Sequence, residues 1–360
     1  MPQYLSEEYD RITEPDKRYK GYVWKTAIGL QQVDGLEPSE YLLKTAQRNV
    51  DGDISFSEAK GLIESYYESR QEREDGRTEE ADKVSARIAE ILAERSFVFS
   101  PQQYISIHKR LFEGIYRHAG KIRDYNISKE EWVLDGDTVT YGNAMDLREM
   151  LNYDIKLEKE FSYRGLTADQ RIEHIARFVS NLWQIHAFGE GNTRTTAVFL
   201  IEYLRTLGYD VENDLFAENS WYFRNALVRA NYTNVQKDIY ETTEYLELFL
   251  RNLLLGEKNE LKNRYLHIDR TVKTDIQSIK ADIETEKPDF DVLVESGNTK
   301  TLRNATQLYE NIGRNVFGRG DVMRILGLKH SAASSFIGKL LENGLIISVT
   351  GQGKGRYQFK

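Results

Sequence analysis

The stretch His186-Ala-Phe-Gly-Glu-Gly-Asn-Thr-Arg194 combines two glycines with side chains that can bind anions, cations and protons. Apolar residues at helical spacing flank it, and they predict an amphipathic helix over about 168–185 and a second over about 193–207. Gly189 and Gly191 let the connecting loop turn tightly, and the N–H groups at the start of the second helix point into it. The stretch therefore predicts an anion-binding loop between two helices.

The polar side chains of this loop suit a polyphosphate. Asn192 can donate a hydrogen bond, Arg194 can grip phosphate oxygens, and Glu190 can hold Mg²⁺ that bridges those oxygens. His186 lies at the mouth of the loop and can act as general base toward a hydroxyl nucleophile. Each side chain also has a structural alternative, because a histidine at a helix end is usually a packing residue and Glu190 and Arg194 could form a surface pair.

These residues resemble the motif of the Fic family, HxFx(D/E)GNGRxxR, and six specified positions match within nine residues. Residues 107–123, IHKRLFEGIYRHAGKIR, are similar to the family's helix that leads to a substrate-binding hairpin. Residues 132–141, WVLDGDTVTY, form two β runs around a turn signal and predict that hairpin, which in the family aligns a target peptide by strand addition. The flap residues of this predicted hairpin are Val133, Leu134, Thr138 and Val139.

The resemblance, which covers roughly residues 90–255, implies transfer of AMP from ATP to a Ser, Thr or Tyr hydroxyl of a target protein or of the chain itself. It makes His186 the catalytic base, Glu190 the Mg²⁺ ligand, Asn192 a partner of the α-phosphate and Arg194 a clamp on the β- and γ-phosphates. The nucleotide-binding residues that it implies are Gly189, Glu190, Gly191, Asn192, Thr193 and Arg194.

Two positions depart from the family motif. Its second glycine is Thr193 here, and its second arginine is Ala197. Thr193 adds a branched side chain where backbone approaches phosphate, and Ala197 cannot hold a γ-phosphate. Two alternatives therefore stay open: a Doc-like phosphotransferase that moves the terminal phosphate, and a catalytically silent DNA-binding regulator that senses nucleotide.

Residues 30–38 resemble the end of the inhibitory helix of many Fic proteins, (S/T)xxxE(G/N), whose glutamate pairs with the second arginine. Leu30 replaces the Ser or Thr, and Asp34 replaces the glutamate. Because the usual partner is Ala197, we expect the inhibition to be absent or reworked through Arg194. The alternative is that residues 20–70 are a helical cap on the core.

The composition excludes several other classes of protein. The 360 residues include no cysteine, which excludes disulfides, thiolate nucleophiles and cysteine-bound zinc or iron–sulfur clusters. No apolar run approaches the roughly 18 residues that cross a bilayer, so we expect no membrane span. The N-terminus is charged and does not read as a secretory signal, so the expected location is cytoplasmic.

Scarce proline and apolar residues at helical spacing predict a mainly α protein: a Fic-type helical core with a β-hairpin flap and a small C-terminal winged helix domain. The highly charged stretch 68–82 predicts an exposed connection between helices. The predicted domains are an N-terminal helical region with the degenerate inhibitory motif (1–85), the Fic core (86–255), a helical connector (256–310) and a winged helix-turn-helix (311–360).

Residues 311–360 carry eight Lys or Arg against two acids, a net charge of +6, which leaves −14 for residues 1–310. Their pattern predicts helices at 321–326 and 331–343 and strands at 345–349 and 356–359. Cations on the second helix and on the wing, Lys354 with Arg356, could meet DNA phosphates. The alternative is a winged helix for dimerisation or protein docking, and a homodimer is one oligomeric state common in the family.

Overall fold

The computed structural model describes residues 17–69, 76–94, 96–268, 299–312, 317–348 and 356–359. Contacts divide the chain into two compact units, residues 1–129 with 139–261 and residues 130–138 with 262–360. The α-helices of the first unit are α1 (Lys17–Gly29), α2 (Glu40–Asp51), α3 (Phe56–Glu68), α4 (Gly76–Ala93), α5 (Pro101–Phe112), α6 (Leu147–Glu160), α7 (Ala168–Ile185), α8 (Asn192–Thr206), α9 (Leu215–Arg229) and α10 (Glu244–Leu255). Short 3-10 helices lie at Leu30–Asp34, Trp132–Leu134, Val235–Lys237 and Asn263–Tyr265. The prediction of a mainly helical fold is confirmed.

The two helices around the loop lie within one residue of their predicted bounds. A capping box starts α7: the Thr167 hydroxyl accepts the N–H of Gln170, and the Gln170 side chain accepts the N–H of Thr167. The helix ends at Ile185 because His186 adopts a positive φ of 48°. Gly191, with a φ of 77°, is the N-cap of α8.

Helix α8 is the central helix of the first unit. Every residue from Asn192 to Leu204 is buried, so this helix is enclosed on all sides. It packs against α5, α7 and the 3-10 helix Leu30–Asp34. The loop before α8 is therefore held on a rigid element inside the core, with the N-terminal helices close to it.

The N-terminal helices are packed onto the core. Helix α1 contacts α4 and α9, and the Ser220 hydroxyl donates a 2.7 Å hydrogen bond to the carbonyl of Gly29 at the end of α1. Helix α4 contains residue 85, so the predicted boundary between an N-terminal region and the core falls inside a helix. The apolar period of α4 runs across that boundary, whereas the prediction followed the charged stretch before it.

The second unit contains α11 (Thr299–Ile312), β1 (Phe317–Gly318), α12 (Arg319–Leu326), α13 (His330–Glu342), β2 (Ile346–Ser348) and β3 (Arg356–Phe359). The strands form an antiparallel sheet in the order β1-β3-β2, with Phe317 opposite Tyr357 and Ser348 also opposite Tyr357. The four predicted elements lie within two residues of their predicted bounds. Lys354 on the predicted wing lies outside the described residues.

Helix α11 belongs to the apolar core of this second unit. Ala305, Leu308, Tyr309 and Ile312 are part of the same buried cluster as Phe317 and Phe359 in the sheet. The predicted boundary at residue 311 therefore falls inside α11. Its composition is mostly polar, so the sequence predicts a connector there, although its few apolar residues recur at helical spacing.

The two β runs predicted for the flap are not observed in the described residues 132–141, whereas the role of the flap toward a target peptide stays a prediction. Residues 132–134 form a 3-10 helix, and Asp135 (φ 55°) and Gly136 (φ 86°) close a turn in which the Gly136 N–H bonds to the Glu131 carbonyl. Val133 and Leu134 are fully buried, Thr138 is half-buried, and Val139 is buried. In a strand, consecutive side chains lie on opposite faces, whereas Val133 and Leu134 are both buried. A short apolar run in the sequence does not distinguish these two arrangements.

In the described part of the chain, no helix is long and apolar enough to cross a bilayer.

Two glycines of α1 offer a matched test of this packing. A Cβ at Gly29 would clash with backbone atoms of Ala217 on α9, whereas a Cβ at Gly21 would have no atom within 4 Å. We expect Gly29→Ala to lower the free energy of unfolding by about 1–3 kcal/mol through overpacking. Gly21→Ala should raise it by about 0.5–1 kcal/mol, because alanine loses less backbone entropy in a helix. Urea titration of both variants measures the two changes. Equal effects would contradict the close contact of α1 with α9.

Candidate functional site

Hydrogen-bond donors engage the carbonyl oxygens of the loop 186–191 and orient them away from one side of the loop. Arg123 supplies two of these donors: its backbone N–H bonds to the Ala187 carbonyl at 3.0 Å, and its Nε–H bonds to the His186 carbonyl at 2.8 Å. The other nitrogens of this buried guanidinium donate to the carbonyls of Tyr125 and Gly142. Arg123 thus ties the loop to the chain segments on either side of it.

Two further donors complete this arrangement. The Asn192 side chain accepts the Phe188 N–H at 3.0 Å and donates to the Phe188 carbonyl at 2.7 Å. The carbonyl of Glu190 lies 3.0 Å from Nε2 of His108 on α5. With these oxygens engaged, the N–H groups of the first turn of α8, which have no acceptor within the helix, are left for an anion.

Asn192 therefore shapes the loop in this structure. Its amide oxygen and nitrogen are both used on the backbone of Phe188, and the residue is buried. The sequence predicts instead that this amide reaches a phosphate. What the geometry offers a phosphate at this position is the backbone N–H of Asn192 at the start of α8.

The branched side chain of Thr193 is turned into the core. Its hydroxyl accepts a 3.0 Å hydrogen bond from the indole N–H of Trp183 on α7. Ala197, one turn further along α8, is fully buried. The Thr193 side chain is thus directed toward α7. The sequence predicts that it crowds a phosphate near the backbone, and this orientation reduces that crowding.

Gly191 is required at its position for two reasons. Its φ of 77° lies in the left-handed region that favours glycine. A Cβ there would also clash with the ring of Phe112, which packs beneath the loop. This close contact between the Gly191 backbone and the Phe112 ring determines the distance between the loop and α5.

His186 is placed where a neutral imidazole can accept a proton. The residue is 3% exposed, and its ring packs against those of Tyr141 and Trp183 at centroid distances of 4.2 and 5.2 Å. Among the described residues, its Nδ1 has no hydrogen-bond partner. Burial, followed by the positive charges of Lys129 and Arg224, lowers the pKa of His186 well below its ordinary value. The imidazole is therefore neutral at neutral pH, and bound phosphates would raise its pKa again.

Glu190 is the exposed acid of the loop. Its side chain is 55% exposed, and its carboxylate forms a 2.9 Å ion pair with Lys129. The described residues contain no cluster of three or more His, Asp or Glu side chains suited to a metal. A single carboxylate fits Mg²⁺ when phosphate oxygens and water complete the shell, which is how this ion is usually held beside nucleotides.

Arg194 is held by acceptors from the N-terminal helices. Its side chain is 1% exposed, and Nη2 donates to Oε1 of Glu80 at 2.6 Å while Nη1 donates to Oε1 of Gln31 at 3.0 Å. Nε lies 2.8 Å from Oδ2 of Asp34, an ion pair whose angles are too bent for a hydrogen bond. The guanidinium also lies 4.7 Å above the ring of Phe112. The residue predicted to clamp phosphates is therefore fully engaged by protein groups.

The sequence singled out Asp34 but missed three residues of this site, Glu80, Gln31 and His108. Glu80 lies in the charged stretch that was predicted to be an exposed connection. In the structure this part of the stretch is the start of α4, where Glu80 contacts both Arg194 and the hydroxyl of Tyr116. No local pattern identifies such a residue, because its partner is more than a hundred positions away.

Comparison with known proteins agrees with the loop and its helices. Residues 98–204 match the model of the Fic/DOC family, which confirms a Fic/DOC domain over that part of the chain. Protein adenylyltransferase VbhT of Bartonella schoenbuchensis is 31% identical over 108 residues, which are 30% of this chain and 21% of that protein. The match thus spans about a fifth of the length of this curated relative.

Two solved structures are also similar. A Fic family protein from Desulfovibrio desulfuricans G20 has a TM-score of 0.40 and 13% identity, over 93% of this chain and 86% of that chain. The N-terminal Fic domain of an effector protein from Bartonella sp. AR 15-3 has a TM-score of 0.35 and 20% identity, over 44% of this chain and 72% of that chain.

Proposed function

We propose that the chain is a protein adenylyltransferase that moves AMP from ATP to a Ser, Thr or Tyr hydroxyl of a protein. The observation that carries the proposal is the loop 186–191, where hydrogen-bond donors engage the carbonyl oxygens and the buried, neutral His186 is the first residue. The adenylyltransferase VbhT, similar over 108 residues, supports AMP as the transferred group.

In the proposed reaction, the target oxygen forms a bond to the α-phosphorus of ATP, and the bond from that phosphorus to the bridging oxygen breaks to release pyrophosphate. The imidazole of His186 takes the hydroxyl proton. Backbone N–H groups at the start of α8 hold the phosphates and stabilise the charge that develops on them. Glu190 is the carboxylate that would hold Mg²⁺, which neutralises phosphate charge when bound.

ATP labelled at the α or the γ phosphate tests this proposal. Purified wild type with Mg²⁺, alone and with a cell lysate, should make the α label protein-bound. We expect His186→Ala to lower this transfer by about 10²–10⁴-fold, because the proton has no acceptor. His330→Ala, on the exposed start of α13, should leave it unchanged. Transfer of the γ label alone would favour the phosphotransferase, and transfer of neither would favour the nucleotide-sensing regulator.

We further propose that Asp34 acts as an inhibitory residue together with Glu80. A phosphate can pair with Arg194 only after these carboxylates release it, because it would replace the ion pair with Asp34 and the hydrogen-bonded ion pair with Glu80. Gln31 and Glu80 hold Arg194 even without Asp34. The inhibition expected from the sequence would then be shared between α4 and the 3-10 helix Leu30–Asp34.

Neutral variants test this shared inhibition. Asp34→Asn or Glu80→Gln alone should change the Kd of Mg-ATP by less than about threefold, because one carboxylate still holds Arg194. The double variant should bind about tenfold more tightly, equivalent to about 1.4 kcal/mol. Calorimetry measures the Kd, and Glu79→Gln, on the same helix but paired with Lys83, serves as control. Tighter binding by Asp34→Asn alone would contradict the shared inhibition.

DNA binding by the second unit is a second candidate function, and the specific observation that favours it is a basic cleft. This cleft of about 740 Å³ is lined by Arg319 and Arg356 together with Ser334, Tyr357 and the start of α12. The carboxylate of Asp321, also in the cleft, accepts the N–H of Gly318 and pairs with Arg324 and, at 3.8 Å, with Arg356. The order of elements, with a helix after a turn and then two strands, suits a winged helix-turn-helix.

Salt dependence of binding to duplex DNA tests this candidate. Each of Arg319→Gln and Arg356→Gln should reduce the slope of log K against log salt by about one, because each arginine neutralises one phosphate. Arg324→Gln is the control, since this arginine does not line the cleft. Equal slopes in all variants, or no DNA binding by the wild type, would leave the second unit as a docking module.

A further inference from the structure

His108 is a fully buried histidine of α5 with partners on both ring nitrogens. Its Nδ1 lies 2.9 Å from the N–H of Gly120, and its Nε2 lies 3.0 Å from the carbonyl oxygen of Glu190. A backbone N–H can only donate, and a carbonyl can only accept. Nδ1 is therefore unprotonated, and Nε2 carries the proton and donates a hydrogen bond to the carbonyl oxygen of Glu190.

The surroundings keep this ring neutral and fixed. Burial lowers the pKa of His108 to about 4. The ring stacks on that of Phe188 at a centroid distance of 3.7 Å and an angle of 12°, and it contacts Phe112 at 4.9 Å. His108 is thus part of the packed floor under the loop, with a single tautomer that its partners determine.

The hydrogen bond to Glu190 orients a peptide of the loop. In a planar trans peptide the carbonyl and the following N–H point in opposite directions. Because the Glu190 carbonyl points toward His108 on α5, the N–H of Gly191 must point away from α5.

We infer that His108 is a positioning residue for the anion-binding loop. Its Nε2–H holds the peptide between Glu190 and Gly191 in the orientation that directs the Gly191 N–H toward a bound phosphate. Without that bond, this peptide would be free to rotate and turn a carbonyl oxygen toward the anion, because glycine at 191 has no Cβ to restrict its φ. The inference rests on the proposed function only in taking the anion to be a phosphate group of ATP.

Two substitutions of His108 separate its two hydrogen bonds. The amide of His108→Gln can reach the Nε2 position and donate to Glu190, whereas the amide of His108→Asn can reach the Nδ1 position and accept from Gly120. Both variants lose the stacking on Phe188, so they should lose similar stability in urea titration. We expect the Kd of Mg-ATP to rise by less than about threefold in His108→Gln and by about tenfold or more in His108→Asn.

A second readout needs no nucleotide. The ¹⁵N chemical shift of Gly191 reports the hydrogen bond of the Glu190 carbonyl, and it should stay near the wild-type value in His108→Gln but change in His108→Asn. A purely structural role would move both variants equally in affinity and in this shift, which would overturn the inference.

The outcomes also separate this inference from the proposed function. Wild type that binds Mg-ATP but transfers no label would remove the proposed function and leave the role of His108 to be decided by the two variants. Wild type that binds neither Mg-ATP nor inorganic pyrophosphate would overturn the inference as well, because the loop would then hold no phosphate.

Discussion

The ion pairs of Arg194 with Asp34 and Glu80 are the interaction on which the first unit depends. A guanidinium that is 1% exposed must have its charge and its N–H groups satisfied inside the protein. Burial alone would lower the pKa of Arg194, but the two carboxylates and the Tyr116 hydroxyl raise it, so the residue stays charged. The N-terminal helices that supply Asp34, Gln31 and Glu80 therefore complete the interior around α8, rather than merely covering it.

The proposed phosphate site is consequently arranged in its backbone but not in its arginine. The loop before α8 has its backbone arranged by Arg123, Asn192 and His108, and these contacts need no ligand. The cation that would grip the far phosphates is already engaged by protein carboxylates. A rigid backbone cradle lowers the entropy lost on binding, whereas the locked Arg194 must exchange one set of anionic partners for another. Under the proposed function, this division would place the affinity for nucleotide under the control of the N-terminal helices.

The sequence predicted the parts of this site that are local. Helices α7 and α8, the glycine turn and His186 follow from periodicity and short motifs, and the structure has them within one residue. Glu80 could not be recognised, because a charged stretch has the same composition whether it faces water or a buried arginine. The bonds of Asn192 to Phe188 could not be predicted for a related reason: an amide can bind a ligand or its own loop, and only the distances show that it bonds to Phe188 here. Its role toward a phosphate stays a prediction. The flap was predicted as strand because Val and Leu in a short run suit both strand and a buried 3-10 turn.

The most direct test of the locked arginine is NMR of the Arg194 guanidinium in ¹⁵N-arginine-labelled protein, assigned through Arg194→Lys. We predict that its N–H protons exchange slowly with water in the absence of ligand, and that their shifts change on addition of Mg-ATP but not of adenosine. Exchange as fast as that of exposed arginines would contradict the buried ion pairs. Shifts that Mg-ATP leaves unchanged would contradict the exchange of carboxylate partners for phosphate.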